Sequence, residues 1–358
     1  MTRPLRVALI ASARYPIREP FAGGLEAHTW ALASALRQRG HHVTLFAGEG
    51  SDPSLGIREL PVARADFSPA ARSDVSMTAP TFLAEHHAYL QLMIELSQGE
   101  ENCSFDIIHN NSLHYLPIAM APAVRTPIVT TLHTPPTPWL ESAIQTGGHT
   151  AVQYTAVSAC TARAWAPVVP DARVVLNGID TERWQPGPGG EDLVWFGRLV
   201  PEKGPHLAIE AARKAGVRLR LAGPTPDTEY FETALRPFLD DQIEYVGHLG
   251  RSDLSRLVGQ AAAAIVTPCW DEPYGLVVAE ALACGTPVCA FDRGALSEIL
   301  TPDCGRLVPQ TDAAALADVI PRTMALSRRA CRDRAEQHCS LDVMITRYEE
   351  VYTAMGPA

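Results

Sequence analysis

Lysine is almost missing from this chain of 358 residues: of thirty basic residues only Lys203 and Lys214 are lysines. The first half holds no amphipathic helix concentrated in Lys and Arg, so stable attachment to an anionic membrane surface is not supported. No apolar run approaches the roughly 18 residues of a spanning helix. Met1–Ile10 lacks the apolar stretch and cleavage site of a signal peptide. Eight cysteines form no CxxC pair, and most lie in apolar contexts such as AEALACGTPVCA. That usage fits reduced core thiols better than disulfides or zinc. There is no low-complexity tract and no repeat with a period of roughly 20–50 residues. Positive charge is also short. The net charge of −10 divides as −2 over residues 1–170 and −8 beyond, which argues against a general nucleic-acid binder. What remains is an ordinary globular balance, 46% hydrophobic and 20% charged, read as a soluble, cytoplasmic protein.

Apolar strand-like runs alternate with amphipathic helix-like runs nearly throughout, the pattern of parallel α/β sheets with crossover helices. Strands are expected at Leu5–Ile10, Val43–Phe46, Asp106–His109, Ile128–Leu132 and Thr155–Val157. The clearest helix is Leu25–Arg39, with Leu25, Trp30, Ala33 and Leu36 near 3.6 spacing and Gly40 as its stop. Pro80–Ser97 is a second helix, and Glu49–Ala79 reads as loop-rich. The run Gln185–Gly190 (QPGPGG) reads as a linker or interdomain turn. Strands resume at Leu193–Phe196, Arg218–Ala222, Ile243–Val246, Ala263–Val266, Pro287–Phe291 and Arg306–Val308. Two units of similar size are therefore expected, 1–170 and 171–340, with a cleft between them of the kind that binds small molecules. Apolar positions at 341, 344, 345, 348, 351 and 352 mark an amphipathic C-terminal helix within 341–358.

Two stretches carry chemistry. EPYGLVVAEALACGTP, from Glu272 to Pro287, reads as a loop, a helix from about Tyr274 to Cys284, and a buried strand. Pro273 suits a first turn, leaving the amides of Tyr274, Gly275 and Leu276 free for an anion or hydroxyl. Glu280 is the odd residue inside an apolar helix. A buried unpaired carboxylate is costly; two vicinal ribose hydroxyls would serve it, as would an arginine or a snorkelling pose. At roughly 1.5 Å per residue it lies about 8 Å from the helix start. In WFGRLVPEKG, Trp195–Gly204, a strand ends, glycine turns the chain, and Arg198 and Lys203 follow five residues apart. Two cations there suit a diphosphate leaving group; an exposed basic turn is the plainer alternative.

These two stretches resemble the donor domain of family-4 retaining glycosyltransferases. Asn177–Asp180 (NGID) resembles the family's domain-junction strand and turn. Phe21–Glu26 (FAGGLE) is similar to its glycine loop, Thr131–Thr134 (TLHT) to its strand-end histidine, and Ala156–Ser158 (AVS) to another short signature. The resemblance runs from about residue 5 to about residue 353. It implies the GT-B fold: two Rossmann-like domains facing a cleft, acceptor-side first and donor-side second. The last helix would cross back onto the first domain; packing on its own domain is the alternative. It implies that Gly23 and Gly24 approach the donor diphosphate and that Arg198 and Lys203 bind its phosphates. Glu280 would take the ribose, while Glu272 and His133 face the transferred sugar. One departure is clear: where members often carry a second histidine and an acid after the strand ending at His109, this chain has Asn110-Asn111-Ser112. Arg14 and Arg18 precede the glycine loop, either to touch an acidic acceptor or to stay solvated.

The resemblance implies a retaining hexosyl transfer from a nucleotide-diphosphate sugar, a UDP-sugar favoured, to a hydroxyl of a small molecule or glycan. No metal and no cofactor is expected: no DxD motif occurs, and the two cations take its place. A dinucleotide-dependent oxidoreductase is disfavoured, because the loop after Ile10 lacks GxGxxG and the second strand does not end in an acid. A phosphorylase is disfavoured by the scarcity of lysine. An epimerase of the same fold and a non-catalytic nucleotide-sugar-binding subunit are the remaining alternatives.

Overall fold

The computed structural model describes residues 3–62, 66–74, 79–98 and 105–356. Among them, seven strands form one sheet: β1 (Arg6–Ile10), β2 (His42–Ala47), β3 (Ile57–Glu59), β4 (Ile107–Asn110), β5 (Ile128–Leu132), β6 (Val152–Ala156) and β7 (Arg173–Val174). Six form another: β8 (Leu193–Phe196), β9 (Leu219–Ala222), β10 (Ile243–Tyr245), β11 (Ala263–Val266), β12 (Val288–Phe291) and β13 (Gly305–Val308). The orders are β3-β2-β1-β4-β5-β6-β7 and β10-β9-β8-β11-β12-β13, and the described pairings are parallel. Each sheet is covered on both faces, and so its central strands are apolar in both phases. Val7 and Leu9 of β1 enter one core while Ala8 and Ile10 enter the opposite one. In β8, Val194 and Phe196 divide in the same way from Leu193 and Trp195.

The long apolar strands lie where periodicity puts them, within a few residues. The region 49–79 is not all loop. It contains β3, an edge strand with no fully buried residue, which leaves no apolar signal to read. β7 was missed for the same reason, being two exposed residues at the other edge. Cys103 lies outside the described residues; the seven described cysteines are free thiols.

The chain passes between the two halves at residues 175–179. Val175 belongs to the first core and Ile179 to the second. The return passes beside it: Ile179 N–H donates to Cys339 O at 2.7 Å and Leu341 N–H to Ile179 O at 2.9 Å. A Cβ at Gly178 would stand 2.6 Å from Ser340 O, so only glycine lets the two segments touch. Gln185–Gly190 is therefore not a loose connection. Gly187 N–H donates to Cys284 O and Gly189 N–H to Gly259 O, and Arg328 bonds the Gly187 carbonyl, which fixes the run to the second half. The helix Leu341–Met355, capped by Ser340, buries Met344, Ile345, Tyr348, Val351 and Tyr352 in the core of the first sheet. Tyr352 OH meets His109 Nδ1 at 2.6 Å, and Glu349 pairs with Arg39 at 2.9 Å and His41 at 3.0 Å.

Candidate functional site

In an open parallel sheet the strand order reverses at one point, and loops leaving the carboxyl ends there diverge to open a crevice. The reversals fall between β1 and β4 in the first sheet and between β8 and β11 in the second. The two crevices face each other across one cleft with a cavity of about 360 Å³. All ten residues singled out from the sequence line it: Gly23, Gly24, His133, Arg198, Lys203, Glu272, Tyr274, Gly275, Leu276 and Glu280.

On the second half, the segment after β8 delivers Arg198 and Lys203 while the loop after β11 delivers Trp270 and Glu272. Lys203 Nζ lies 2.6 Å from Glu272 Oε2 and 4.9 Å from the centre of the Trp270 ring. The Trp270 indole N–H donates to the same Oε2 at 3.1 Å. The lysine is held there by Gly204, whose φ is +64° and where a Cβ would stand 2.2 Å from Thr267 O. Arg198 is more open, with Glu202 at 3.5 Å.

The helix after Glu272 spans Leu276–Ala283, two residues later than Pro273 as a first-turn residue suggests. Gly275, at φ +100°, turns the chain into it. Tyr274 precedes that turn, and its side chain is buried in the second core, so it offers the cleft only backbone. The N–H groups of Tyr274, Gly275 and Leu276 donate to no described protein acceptor, leaving a helix start that suits an anion or a hydroxyl. One turn on, Glu280 faces the same cleft. Burial raises its carboxyl to about 7, against the opposing pull of the Arg251 charge. Arg251 is itself pinned between Phe21 and Trp30, 5.0 and 4.9 Å from the ring centres, with Glu19 at 3.3 Å.

The first half supplies the opposite wall. A Cβ on Gly24 would stand 3.1 Å from Leu276 Cδ1, and one on Gly23 would stand 3.8 Å from Arg198 Cδ. The glycine loop thus lies directly against both second-half motifs. Glu26 follows it, buried, its carboxyl raised by burial and held back by its own backbone N–H, Arg198 and Arg14. His133 leaves the end of β5, and its Nε2–H donates to Asn111 Oδ1 at 2.6 Å. Burial pushes the His133 imidazole well below its usual value, helped by His28 and His109. The ring is neutral near pH 7, with Nδ1 as an acceptor. His28 packs edge-on against it at 5.0 Å, lowered to about 4 by burial.

Sequence reasoning did not single out Arg251, Trp270, Glu26, His28 or Asn111. Glu26 and Trp270 sit inside or beside quoted motifs. Asn111 stands in the segment noted as departing from the family pattern. Arg251 opens a helix after Gly250, and nothing in its spacing links it to Glu280.

Two family descriptions match the chain in tandem: Glycosyltransferase Family 4 over residues 22–183 and Glycosyl transferases group 1 over residues 179–338. The glycogen synthase of Mycobacterium tuberculosis (strain ATCC 25618 / H37Rv) is 28% identical, with 97% of this chain and 94% of that protein aligned. The D-inositol 3-phosphate glycosyltransferase of Saccharomonospora viridis is 25% identical over 98% of this chain and 95% of that one. Among solved structures, Anabaena Alr3699/HepE in complex with UDP and glucose superposes with a TM-score of 0.75 at 16% identity, covering 98% and 100% of the two chains. That likeness establishes the GT-B architecture of two parallel-sheet units.

Proposed function

The chain belongs to the family-4 glycosyltransferases, and from that premise we propose that it moves a hexosyl residue from a nucleotide-diphosphate sugar to an acceptor hydroxyl, with retention of configuration and with no metal or cofactor. The observation that carries this reading is the convergence of Arg198, Lys203, Glu272, the free helix start and Glu280 on one cleft, with Gly23 and Gly24 facing them. UDP is the favoured nucleotide; UDP and glucose are the ligands named for HepE. Free thiols among the described cysteines suit a reducing cytoplasm. No helix among the described residues is long and apolar enough to cross a membrane.

In this reading the diphosphate lies between the glycine loop and the two cations, with the helix-start amides completing its cradle. Glu280 accepts from the ribose hydroxyls. Glu272, its Oε2 already occupied by Lys203 and Trp270, accepts from the sugar through its second oxygen. The bond between the anomeric carbon and the phosphate oxygen breaks as the acceptor oxygen attacks from the same face. The acceptor proton passes to the departing diphosphate. The protein supplies charge stabilisation and orientation rather than a strong base.

The test incubates purified protein with UDP-, GDP- and ADP-glucose, with and without glycogen or D-inositol 3-phosphate, in EDTA and in Mg²⁺. Expected are acceptor-dependent release of nucleoside diphosphate that survives EDTA and an α-configured product by proton NMR. A β product overturns retention, and loss of activity in EDTA overturns metal independence. Donor consumption without acceptor or diphosphate release indicates an epimerase, and binding without turnover indicates the non-catalytic alternative.

A further inference from the structure

Arg251 opens the helix Arg251–Gly259 on the second half, and the position is costly for a cation. A helix start disfavours positive charge, and this side chain is only 12% exposed. Burial works against its charge, as does nearby Arg183, while Glu19, Glu280 and Asp180 favour it. The groups that hold it in place come from the first half. Its Nε lies 3.3 Å from Glu19 Oε1. Its guanidinium carbon lies 5.0 Å from the Phe21 ring centre and 4.9 Å from that of Trp30, within cation–π range.

The cluster is braced on both sides. Phe21 and Trp30 meet at 6.3 Å, and the Trp30 indole N–H donates to Asp52 Oδ2 at 2.9 Å. Arg183, also of the second half, lies 3.9 Å from the same Glu19 oxygen and 4.6 Å from the Trp30 ring centre. A planar guanidinium can meet a ring face and a carboxylate together, which an ammonium does less well. What the cluster grips is the start of the glycine loop. Glu19, Pro20, Phe21, Ala22, Gly23 and Gly24 line the cleft in unbroken succession, and Arg251 and Glu280 line it from the second half. Glu19 and Arg251 also border a neighbouring cavity of about 540 Å³, so their pair stands as a partition between the two. At its far end the same loop lies against Arg198 and Leu276.

We infer that Arg251 is a positioning residue: it fastens Glu19–Gly24 of the first half to the second half and so sets the gap between the glycine loop and the side of the cleft that carries Arg198, Lys203 and Glu280. For its ligand the inference rests on the nucleotide-sugar reading above; the fastening itself does not. Without Arg251 the start of the loop loses its partner. The donor diphosphate then meets a segment that has to be ordered on binding, which costs affinity.

The test compares wild type with Arg251→Ala, Arg251→Lys, Glu19→Gln, the double variant Arg251→Ala/Glu19→Gln and a control, Arg256→Ala, which removes an exposed pair with Asp253 on the same helix. Thermal unfolding reads the fastening, and titration calorimetry with UDP, GDP and ADP reads its effect on the ligand. Expected are lower melting temperatures in both single variants, with the double variant falling no further than Arg251→Ala. The Kd of the best nucleotide should rise about tenfold in Arg251→Ala, rise less in Glu19→Gln, and recover in part in Arg251→Lys, while Arg256→Ala matches wild type. Additive melting shifts overturn the fastening. An unchanged Kd in Arg251→Ala overturns the positioning role. So does an unchanged or tighter Kd in Glu19→Gln, the mark of an arginine that grips the nucleotide itself. Wild type that binds none of the three nucleotides sinks the donor reading instead, and the melting comparison still decides the fastening.

Discussion

Replacing Glu280 by glutamine is expected to make the free protein more stable and its nucleotide binding weaker. The carboxyl sits in an apolar helix facing the cleft, and burial raises it from 4.5 to about 7 while Arg251 only partly offsets this. A raised carboxyl means that the folded state favours the protonated form. Its contribution to stability is full below about pH 4.5 and is lost as pH rises through about 7. At about 1.36 kcal/mol per pH unit the charged form costs about 3 kcal/mol above pH 7, and water in the cleft reduces this toward about 1 kcal/mol. Glutamine keeps the shape and carries no charge to desolvate. The melting temperature of Glu280→Gln should therefore match wild type near pH 4.5 and exceed it by a few degrees at pH 8. Titration calorimetry with UDP at pH 8 should show the reverse ordering. A hydrogen bond to a charged acceptor contributes about 1.5–3 kcal/mol, so the variant's Kd should rise about ten- to hundredfold. A carboxylate kept against its own stability cost, and needed for ligand, is what a binding residue looks like. A variant less stable at pH 8, or one binding UDP as tightly as wild type, would refute the reasoning.

Lys203→Ala should lower kcat about 10²–10³-fold with little change in the unfolding midpoint, because the ammonium is partly exposed and its pair with Glu272 lies at the cleft wall; unchanged turnover removes the phosphate role. Tyr352→Phe should destabilise by about 1–3 kcal/mol in denaturant unfolding, because it strips the partner from buried His109 Nδ1, 2.6 Å away. A wild-type midpoint in Tyr352→Phe would mean that this contact does not hold the last helix to the first half.

How much was legible before the structure depended on whether the signal is local. β1, β5 and β8 are buried on both faces, so each is marked by apolar residues in both phases, with Thr130 and Thr131 the polar exceptions in β5. β3 and β7 are short edge strands with little or no burial, and their sequences resemble loop. The helix starts at Leu276, two residues later than Pro273 as a first-turn residue suggests. The Tyr274 ring does enter the core, but the backbone is still turning, and Gly275 in the left-handed region sets the true start. Gln185–Gly190 has the composition of a hinge, yet composition cannot reveal that its carbonyls and amides are taken up by Gly259, Cys284 and Arg328.

The same distinction explains which half of the site was read well. Arg198, Lys203, Glu272 and Glu280 sit in two continuous stretches, where turn residues and helix spacing already constrain their relative positions. The facing wall is assembled by topology. His28 sits on the first helix, Asn111 after β4 and His133 after β5, and only the pairing of β1 with β4 and β4 with β5 brings them together. Arg251 belongs to the same class: it reaches Glu19 and the Phe21 and Trp30 rings only because the two halves face each other. The second-half side of the cleft is thus written along the chain, whereas the first-half side is written across it.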